Sequence, residues 1–303
     1  MSESIIDIRP VQREAAKLVI GLAGVSGSGK TYTALQLAHG LAGGDPSKIG
    51  MLDTENRRGS LYAEIFGTPF LIGDLNPPFS PERYVSAMRQ FSQSGIKALV
   101  VDSMSHEWEG EGGCEEIAND PTKRIPNWLK AKREHKRFMN ALLLLPFHVV
   151  LCFRAREKTD FSDPARPKSL GIQPICEKNV MYEMTLSYLL DNAGTTRIPI
   201  KPIPAPLLPI VGGDGYLTSE HGKQLLDWVG GKSGADALED AKSRLRYAAS
   251  EGSDALRDCW IGLSKAHQKA LASFKDTLKD SAAHADSQGS PKQETDENGN
   301  IKW

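Results

Sequence analysis

The sequence predicts an α/β fold: a mostly parallel sheet covered by helices on both faces, followed by a small helical module. Three observations carry this expectation. Short continuous apolar runs, LVIGLAG (Leu18–Gly24), GMLD (Gly50–Asp53), ALVVD (Ala98–Asp102) and HVVLCF (His148–Phe153), alternate with helical patterns, as strands buried on both faces do. The glycine-rich stretch GVSGSGKT (Gly24–Thr31) sits between the first of these runs and a segment whose Leu35, Ala38 and Leu41 form one helix face. After Gly230 and Gly231 the composition changes to good helical material.

With 303 residues the chain can bury a sizeable core and hold one large domain or two smaller ones. Charged residues make up 25% and the formal net charge is -1, so no global basic field advertises nucleic acid, and any such surface has to be local. Cys114, Cys152, Cys176 and Cys259 have no CxxC or Cys/His metal-ligand spacing, and the start has no apolar secretion signal, so a reducing cytoplasm is the expected location. The longest apolar stretch, ALLLLPFHVVLCF (Ala141–Phe153), contains Pro146 and His148 and is too short to span a bilayer. It reads as a helix end running into a buried strand, and no membrane partner is expected.

In chain order, residues 18–24 predict a strand, GVSGSGKT a loop, and TYTALQLAHGL (Thr31–Leu41) a helix. Strands follow at 50–53, 98–102 and 148–153, and MTLSYLL (Met184–Leu190) and the later RIPI predict edge strands. Two charged segments of opposite character lie between the third and fourth strands. From Asp102 to Asp120 there are seven acidic residues and no Lys or Arg, whereas Lys123 to Arg137 holds seven basic residues against Glu134 alone. In the second segment Trp128, Phe138 and Leu142 predict the apolar side of a helix, leaving Lys132, Arg133, Lys136 and Arg137 mainly elsewhere. Such a basic face is ordinarily just solvated. Beyond Gly231, two helical stretches broken at Gly252 place Leu238, Leu245, Leu256, Trp260, Leu263 and Leu271 for a hairpin or bundle. The expected organisation is a domain over 1–230, a helical module over 231–284 and a polar, disordered tail over 285–303.

GVSGSGKT is a complete GxxxxGK[ST] pattern between a strand and a helix. Its glycines leave the backbone of Gly24, Val25, Ser26, Gly27, Ser28 and Gly29 free to wrap phosphate oxygens, and the helix that carries Tyr32 turns its positive end toward them. Lys30 is expected to reach the β- and γ-phosphates, and Thr31 to place its hydroxyl on Mg²⁺. Asp102 ends the third strand, where a carboxylate can hold the same ion through its water shell with support from Ser103. ATP and Mg²⁺ are the cofactors this set implies.

The run MLDTENRRG (Met51–Gly59) lies between the phosphate loop and Asp102 in sequence. The strand ending at Asp53 is therefore expected as one that can stand between the phosphate-loop strand and the Asp102 strand, with a carboxylate facing the γ-phosphate. Glu55 is then the candidate to orient and deprotonate water, since a base must reach the nucleophile's proton. Asp53 is the structural partner; an ordinary acidic turn is the plain alternative. Arg57 and Arg58 have no secure role.

With GVSGSGKT before it and VVDS (Val100–Ser103) after it, LDTE (Leu52–Glu55) resembles the RecA-like recombinase ATPase core, and most closely its small phage-encoded relatives linked to single-strand annealing and recombination. The resemblance implies a RecA-like P-loop NTPase core over residues 10 to 230. In it Glu55 matches the catalytic glutamate, Asp102 the magnesium-supporting aspartate, and Lys30 and Thr31 the nucleotide-binding pair. Such cores carry a strand ending in Gln or Asn that senses the γ-phosphate and leads into a DNA-binding loop. Here VVLCFRAREK (Val149–Lys158) puts Arg154 near that place, with Arg156 close by. An arginine can contact phosphate as a charged donor, serve a neighbouring subunit's ATP as an arginine finger, or simply form a surface salt link. The family's two DNA-facing loops fall on residues 107–130 and 158–178, the second carrying Lys158, Arg166, Lys168 and Lys178. HEWEGEGG (His106–Gly113) is too acidic to grip phosphates; Trp108 either covers a core edge or stacks on a base. His106 and His148 have no partner spacing for a metal.

The function so implied is an ATPase that binds single-stranded DNA and assists phage homologous recombination or strand annealing in the bacterial host cytoplasm. Lys132, Arg133, Lys136, Arg137, Arg156, Lys158, Arg166 and Lys168 are the expected DNA contacts. A homo-oligomer follows the habit of RecA-like relatives, and the C-terminal module is the expected dock for a single-strand-binding or other replication or recombination protein. Two other readings stand beside it. A P-loop kinase would transfer the phosphoryl group to a small acceptor held by Asp53, Arg57 and Arg58, and an ATP-gated scaffold would capture replication proteins with negligible turnover.

Overall fold

The computed structural model describes residues 16–163, 166–230, 234–263 and 265–288. The chain divides between Gly231 and Lys232 into two compact units.

The first unit is built on one eight-stranded sheet. Its strands are β1 (Val19–Gly24), β2 (Ile49–Asp53), β3 (Leu71–Asp74), β4 (Ala98–Asp102), β5 (His148–Asp160), β6 (Lys168–Pro174), β7 (Leu186–Asp191) and β8 (Thr196–Pro199). The order is β3-β2-β4-β5-β1-β7-β8, parallel except for β8, and β6 pairs antiparallel with the outer half of β5. The helices are α1 (Lys30–Leu41), α2 (Pro81–Gln93), α3 (Ser105–Glu109), α4 (Cys114–Ala118), α5 (Trp128–Leu143), α6 (Val180–Glu183), α7 (Leu208–Val211) and α8 (Ser219–Val229).

Alternate strand residues enter two cores, one on each face. Ile20, Leu22, Met51, Val100, Val150 and Tyr188 pack with Leu35, Ala38 and Leu41 of α1 and Leu225 of α8. Val19, Leu52, Leu99, Val101, Leu151 and Phe153 pack with Tyr84 and Met88 of α2 and Phe138 and Leu142 of α5. Burial on both faces is why the strands read as unbroken apolar runs. Side chains start the two outer helices: Ser80 accepts from the Arg83 N–H at 3.4 Å ahead of Pro81, and Asn127 accepts from the Lys130 N–H at 3.0 Å. On the other face α1 and α8 approach until their backbones touch. A Cβ on Gly40 would lie 1.9 Å from the Ser219 carbonyl oxygen, and one on Gly222 would lie 2.3 Å from that of Leu37.

Several expectations are corrected here. The strand between β1 and β4 is β5, and β2 lies beyond β4. HVVLCF is buried at every position and takes the central place, while β2 has the largely exposed β3 as its outer neighbour. β3 carries the short apolar run FLI (residues 70–72) at its start but is largely exposed, and it is not among the expected strands. β7 is an interior strand, and only β8 forms that edge. Residues 158–178 contain a β-hairpin rather than a loop throughout, because β5 continues to Asp160 and β6 pairs back on it. Residues 107–130 hold the end of α3, all of α4 and the start of α5 rather than one loop. Trp128, the first residue of α5, is 40% exposed and rests on Trp108 with ring centroids 6.3 Å apart, outside the buried side of the helix.

In the second unit, α9 (Gly234–Glu251), α10 (Ser253–Gly262), α11 (Lys265–Thr277) and α12 (Lys279–Gln288) share a core of Ala241, Leu245, Ala249, Leu256, Leu263, Leu271 and Ala282. Gly252, at φ 120°, breaks α9 from α10, and Asp286 accepts from the Ser253 N–H at 3.0 Å. Residues 285–288, expected in the tail, continue α12. Residues 289–303 and 1–15 lie outside the described residues. No helix among the described residues is long and apolar enough to cross a membrane.

Candidate active site

Strand register brings the chemistry together. Gly24 pairs with Arg154, Cys152 with Asp102, and Asp102 with Asp53, so β1, β4 and β2 end side by side where β5 runs on past them. In open α/β sheets ligands bind outside these carboxyl ends. A cleft of about 480 Å³ lies there, lined by Ser26, Gly27, Lys30, Thr31, Glu55, Arg58, Asp102 and Arg154 among others.

The loop from β1 to α1 needs its glycines for two different reasons. Gly29 has φ +83°, and a Cβ on it would lie 2.6 Å from the Ala193 carbonyl oxygen. Gly27 has φ +80° with nothing within 4 Å of a Cβ, so its outer side is open space. Lys30 Nζ donates to the Val25 carbonyl at 2.8 Å. Burial pushes the Lys30 ammonium below the ordinary lysine value, and the charges of Asp102 and Glu55 oppose that shift. The Thr31 hydroxyl donates to Asp102 Oδ2 at 2.6 Å. Burial pushes the Asp102 carboxyl up, with the Thr31 hydrogen bond opposing and the Glu55 charge adding to it. A threonine oxygen beside a buried carboxylate, with an open glycine turn and cationic side chains facing the same cleft, fits a magnesium–nucleotide complex: hard oxygen donors for the ion and positive groups for phosphate.

Glu55 and Arg154 meet over the end of β4. Arg154 donates from Nε to Glu55 Oε1 at 2.7 Å and from Nη2 to Oε2. Burial alone would raise the Glu55 carboxyl; the Arg154 hydrogen bond and charge, helped by His106 and Arg58, outweigh it and hold the carboxyl below its ordinary value. The Glu55 hydrogen bond in turn raises the arginine. Asp53 shapes the turn: its two oxygens accept the N–H groups of Glu55 at 2.6 Å and Gly59 at 2.7 Å. Arg57 pairs with Asp74 at 3.0 Å, whereas Arg58 faces the cleft.

Three residues in this constellation had no assigned part. The buried Thr54 hydroxyl accepts the Ser103 N–H at 2.8 Å and lies 2.7 Å from His106 Nδ1, tying the end of β2 to the end of β4. His106 stacks on Phe79 at 4.8 Å and places Nε2 4.0 Å from Glu55 Oε1. Burial and the Arg154 charge push its imidazole pKa down. Glu109 holds Arg156 at 3.0 Å. The available signal was position: Thr54 adjoins Glu55, and His106 stands just after the VVDS motif, at the start of α3.

Tyr32, 48% exposed at the start of α1, does not line the cleft. Lys132, Arg133, Lys136 and Arg137 are exposed on α5, where Arg137 pairs with Glu134 at 3.0 Å. Arg156, Lys158, Arg166 and Lys168 are exposed on the β5–β6 hairpin and its connection. Lys132 and Lys136 border a cavity also lined by Glu177 and Glu183, which dilute the positive charge there.

What these strand ends define is a P-loop nucleotide-binding domain. The family model described as AAA domain (AAA_24) matches residues 16–197, and the chain belongs to this AAA domain family. No curated protein matches the chain. Among solved structures it is similar to a KaiC-like protein from the hyperthermophilic archaeon Pyrococcus horikoshii OT3, at 18% identity and TM-score 0.35, with 60% of this chain and 82% of that chain covered. It is also similar to the RadB recombinase, at 19% identity and TM-score 0.37, with 59% and 76% covered.

Proposed function

We propose that this protein is a Mg²⁺-dependent ATPase that binds single-stranded DNA and assists homologous recombination or strand annealing, in a phage context within the host cytoplasm. The observation that carries the reading is the meeting of Lys30, Thr31, Asp102, Glu55 and Arg154 at one cleft from four separate strands. In this reading Lys30 exchanges the Val25 carbonyl for phosphate oxygens, and Thr31 with Asp102 holds Mg²⁺. The bound ion would supply charge neutralisation on the phosphoryl oxygens. Glu55 takes the proton of the attacking water once Arg154 lets it go, and the freed guanidinium contacts phosphate in its own site or a neighbour's.

The DNA part is supported by the exposed basic residues of α5 and of the β5–β6 hairpin, and by the order of the three site motifs along the chain. A homo-oligomer and a replication or recombination partner on the second unit belong to the same reading. The kinase alternative required Asp53, Arg57 and Arg58 to hold an acceptor. Asp53 is engaged by backbone and Arg57 by Asp74, which leaves Arg58 alone on the cleft.

The test compares ATP turnover with no polymer, with single-stranded DNA and with duplex, for wild type, Lys30→Ala and Glu55→Gln. Turnover stimulated by single strands and abolished in both variants is the expected result. Retained turnover in both variants removes the proposed site, and indifference to DNA at low salt removes the recombination role.

A further inference from the structure

Three donor atoms of different chemistry meet in a buried cluster that the nucleotide site does not use. Glu107 lies on α3, Cys114 opens α4 and His135 lies on α5, with exposures of 1%, 0% and 8%. Their donor atoms lie within 4.8 Å of one another. The two Glu107 oxygens sit 3.0 and 3.1 Å from His135 Nδ1, and Cys114 Sγ donates to Glu107 Oε1 at 3.3 Å. We propose that this cluster binds one divalent transition-metal ion of the zinc class, through Cys114 Sγ, His135 Nδ1 and the Glu107 carboxylate.

The spacing is the first argument. Tetrahedral zinc, with bonds of roughly 2.0–2.1 Å to N and O and about 2.3 Å to S, sets neighbouring N and O donors roughly 3.3 Å apart and S and O donors roughly 3.5 Å apart. The hydrogen-bonded spacings fall a few tenths of an ångström short of these, and all three donors lie within 4.8 Å, so small side-chain shifts set them around one ion. Charge is the second argument: thiolate and carboxylate together neutralise a divalent cation in a place where an unbalanced charge is costly. Binding releases the Cys114 proton to water and leaves His135 neutral with its proton on Nε2. Ligand type separates this site from the nucleotide site, since sulfur and imidazole favour zinc-class ions and the Thr31 and Asp102 oxygens favour magnesium.

The surroundings supply what such a site needs. Trp108 and Phe138 flank the His135 ring at 5.7 and 6.1 Å and fix its orientation. A cavity of about 410 Å³ borders His135, while Glu107 and Cys114 lie behind it. α3 and α4, of five residues each, are too short to hold their own shape, and the ion would staple both to α5.

The test titrates chelator-treated full-length protein with Co²⁺. One equivalent is expected to bind with a near-ultraviolet sulfur-to-cobalt charge-transfer band, which Zn²⁺ displaces. Cys114→Ser abolishes the band and His135→Gln weakens binding, with far-ultraviolet circular dichroism checking that each variant is folded. Cobalt at Thr31 and Asp102 gives no such band, because its ligands there are oxygens. The wild-type titration needs no variant: absence of the band at excess Co²⁺ overturns the proposal, as does a band that survives Cys114→Ser.

Discussion

Arg154 grips Glu55 with two arms of its guanidinium, Nε to Oε1 at 2.7 Å and Nη2 to Oε2, so the carboxylate best placed to take a proton is fully engaged. A carboxylate held this way is a weak base until the arginine moves. Removing Arg154 leaves burial as the dominant influence on Glu55, and burial raises its pKa. The acid limb of the pH profile of kcat/KM is therefore expected to shift to higher pH in Arg154→Ala. Glu55→Gln is expected to lower kcat by about 10²–10⁴-fold while nucleotide still binds. Steady-state kinetics over a pH series, with nucleotide binding by fluorescence, measures both.

Asp102 is buried and receives the Thr31 hydroxyl at 2.6 Å. Asp102→Asn keeps the shape and removes the charge that supports the ion. The Mg²⁺ concentration for half-maximal turnover is expected to rise about 10–100-fold, by the usual cost of losing a group that supports a metal from behind its direct ligands. A magnesium titration of wild type and variant at saturating ATP checks it.

His148 is 4% exposed, accepts the Leu18 N–H at 3.1 Å through Nδ1, and has its pKa pushed down to about 4 by burial, with the Lys17 charge adding to it. The native state holds it neutral, so its contribution is complete above the ordinary value of 6.5 and is lost as pH falls toward about 4. By pH 5 the loss is about 2 kcal/mol. Burial pushes the His221 pKa down to about 4 as well, so urea unfolding from pH 7.5 to 5 is expected to show a slope of at least this size, of which His148→Asn removes the His148 share.

The touching backbones of α1 and α8 leave no room for a methyl group at Gly222. Gly222→Ala is expected to destabilise the protein by about 1–3 kcal/mol or more. Gly262→Ala, in open space at the end of α10, is expected to be neutral or stabilising by up to about 1 kcal/mol. Denaturant melts of the two variants give the contrast.

If α5 holds single-stranded DNA, replacing Lys132, Arg133, Lys136 and Arg137 by Ala weakens binding evenly across sequences. The slope of log affinity against log salt is expected to fall by about 0.7 for each phosphate no longer neutralised. Binding isotherms at several salt concentrations read the slope, and an unchanged slope takes DNA off this helix.

Local pattern made part of this molecule legible and left part hidden. GVSGSGKT, LDTE and VVDS each hold their chemistry within a few residues, so the participants at the cleft could be named before their distances were known. Sheet order is a different matter. Nothing within LDTE says whether its strand lies inside or outside the VVDS strand, and the answer depends on how completely β5 is buried on both faces. The contact of Thr54 with His106 depends on the β2–β4 register, and the cluster of Glu107, Cys114 and His135 depends on three helices packing together. Neither has a sequence period to announce it. β6 is largely exposed and lacks an apolar run, while β3 has only the short run at residues 70–72 and is largely exposed as well.

The glycine contact between α1 and α8 also has a mechanical consequence. Side chains between two helices can change rotamer and absorb a small slide, but backbones in direct contact cannot. α1 begins at Lys30, in the phosphate loop, and α8 ends at Val229, just before the chain leaves the first unit. A displacement of α1 at the phosphate loop is therefore expected to carry the start of α8 with it rather than be taken up between them.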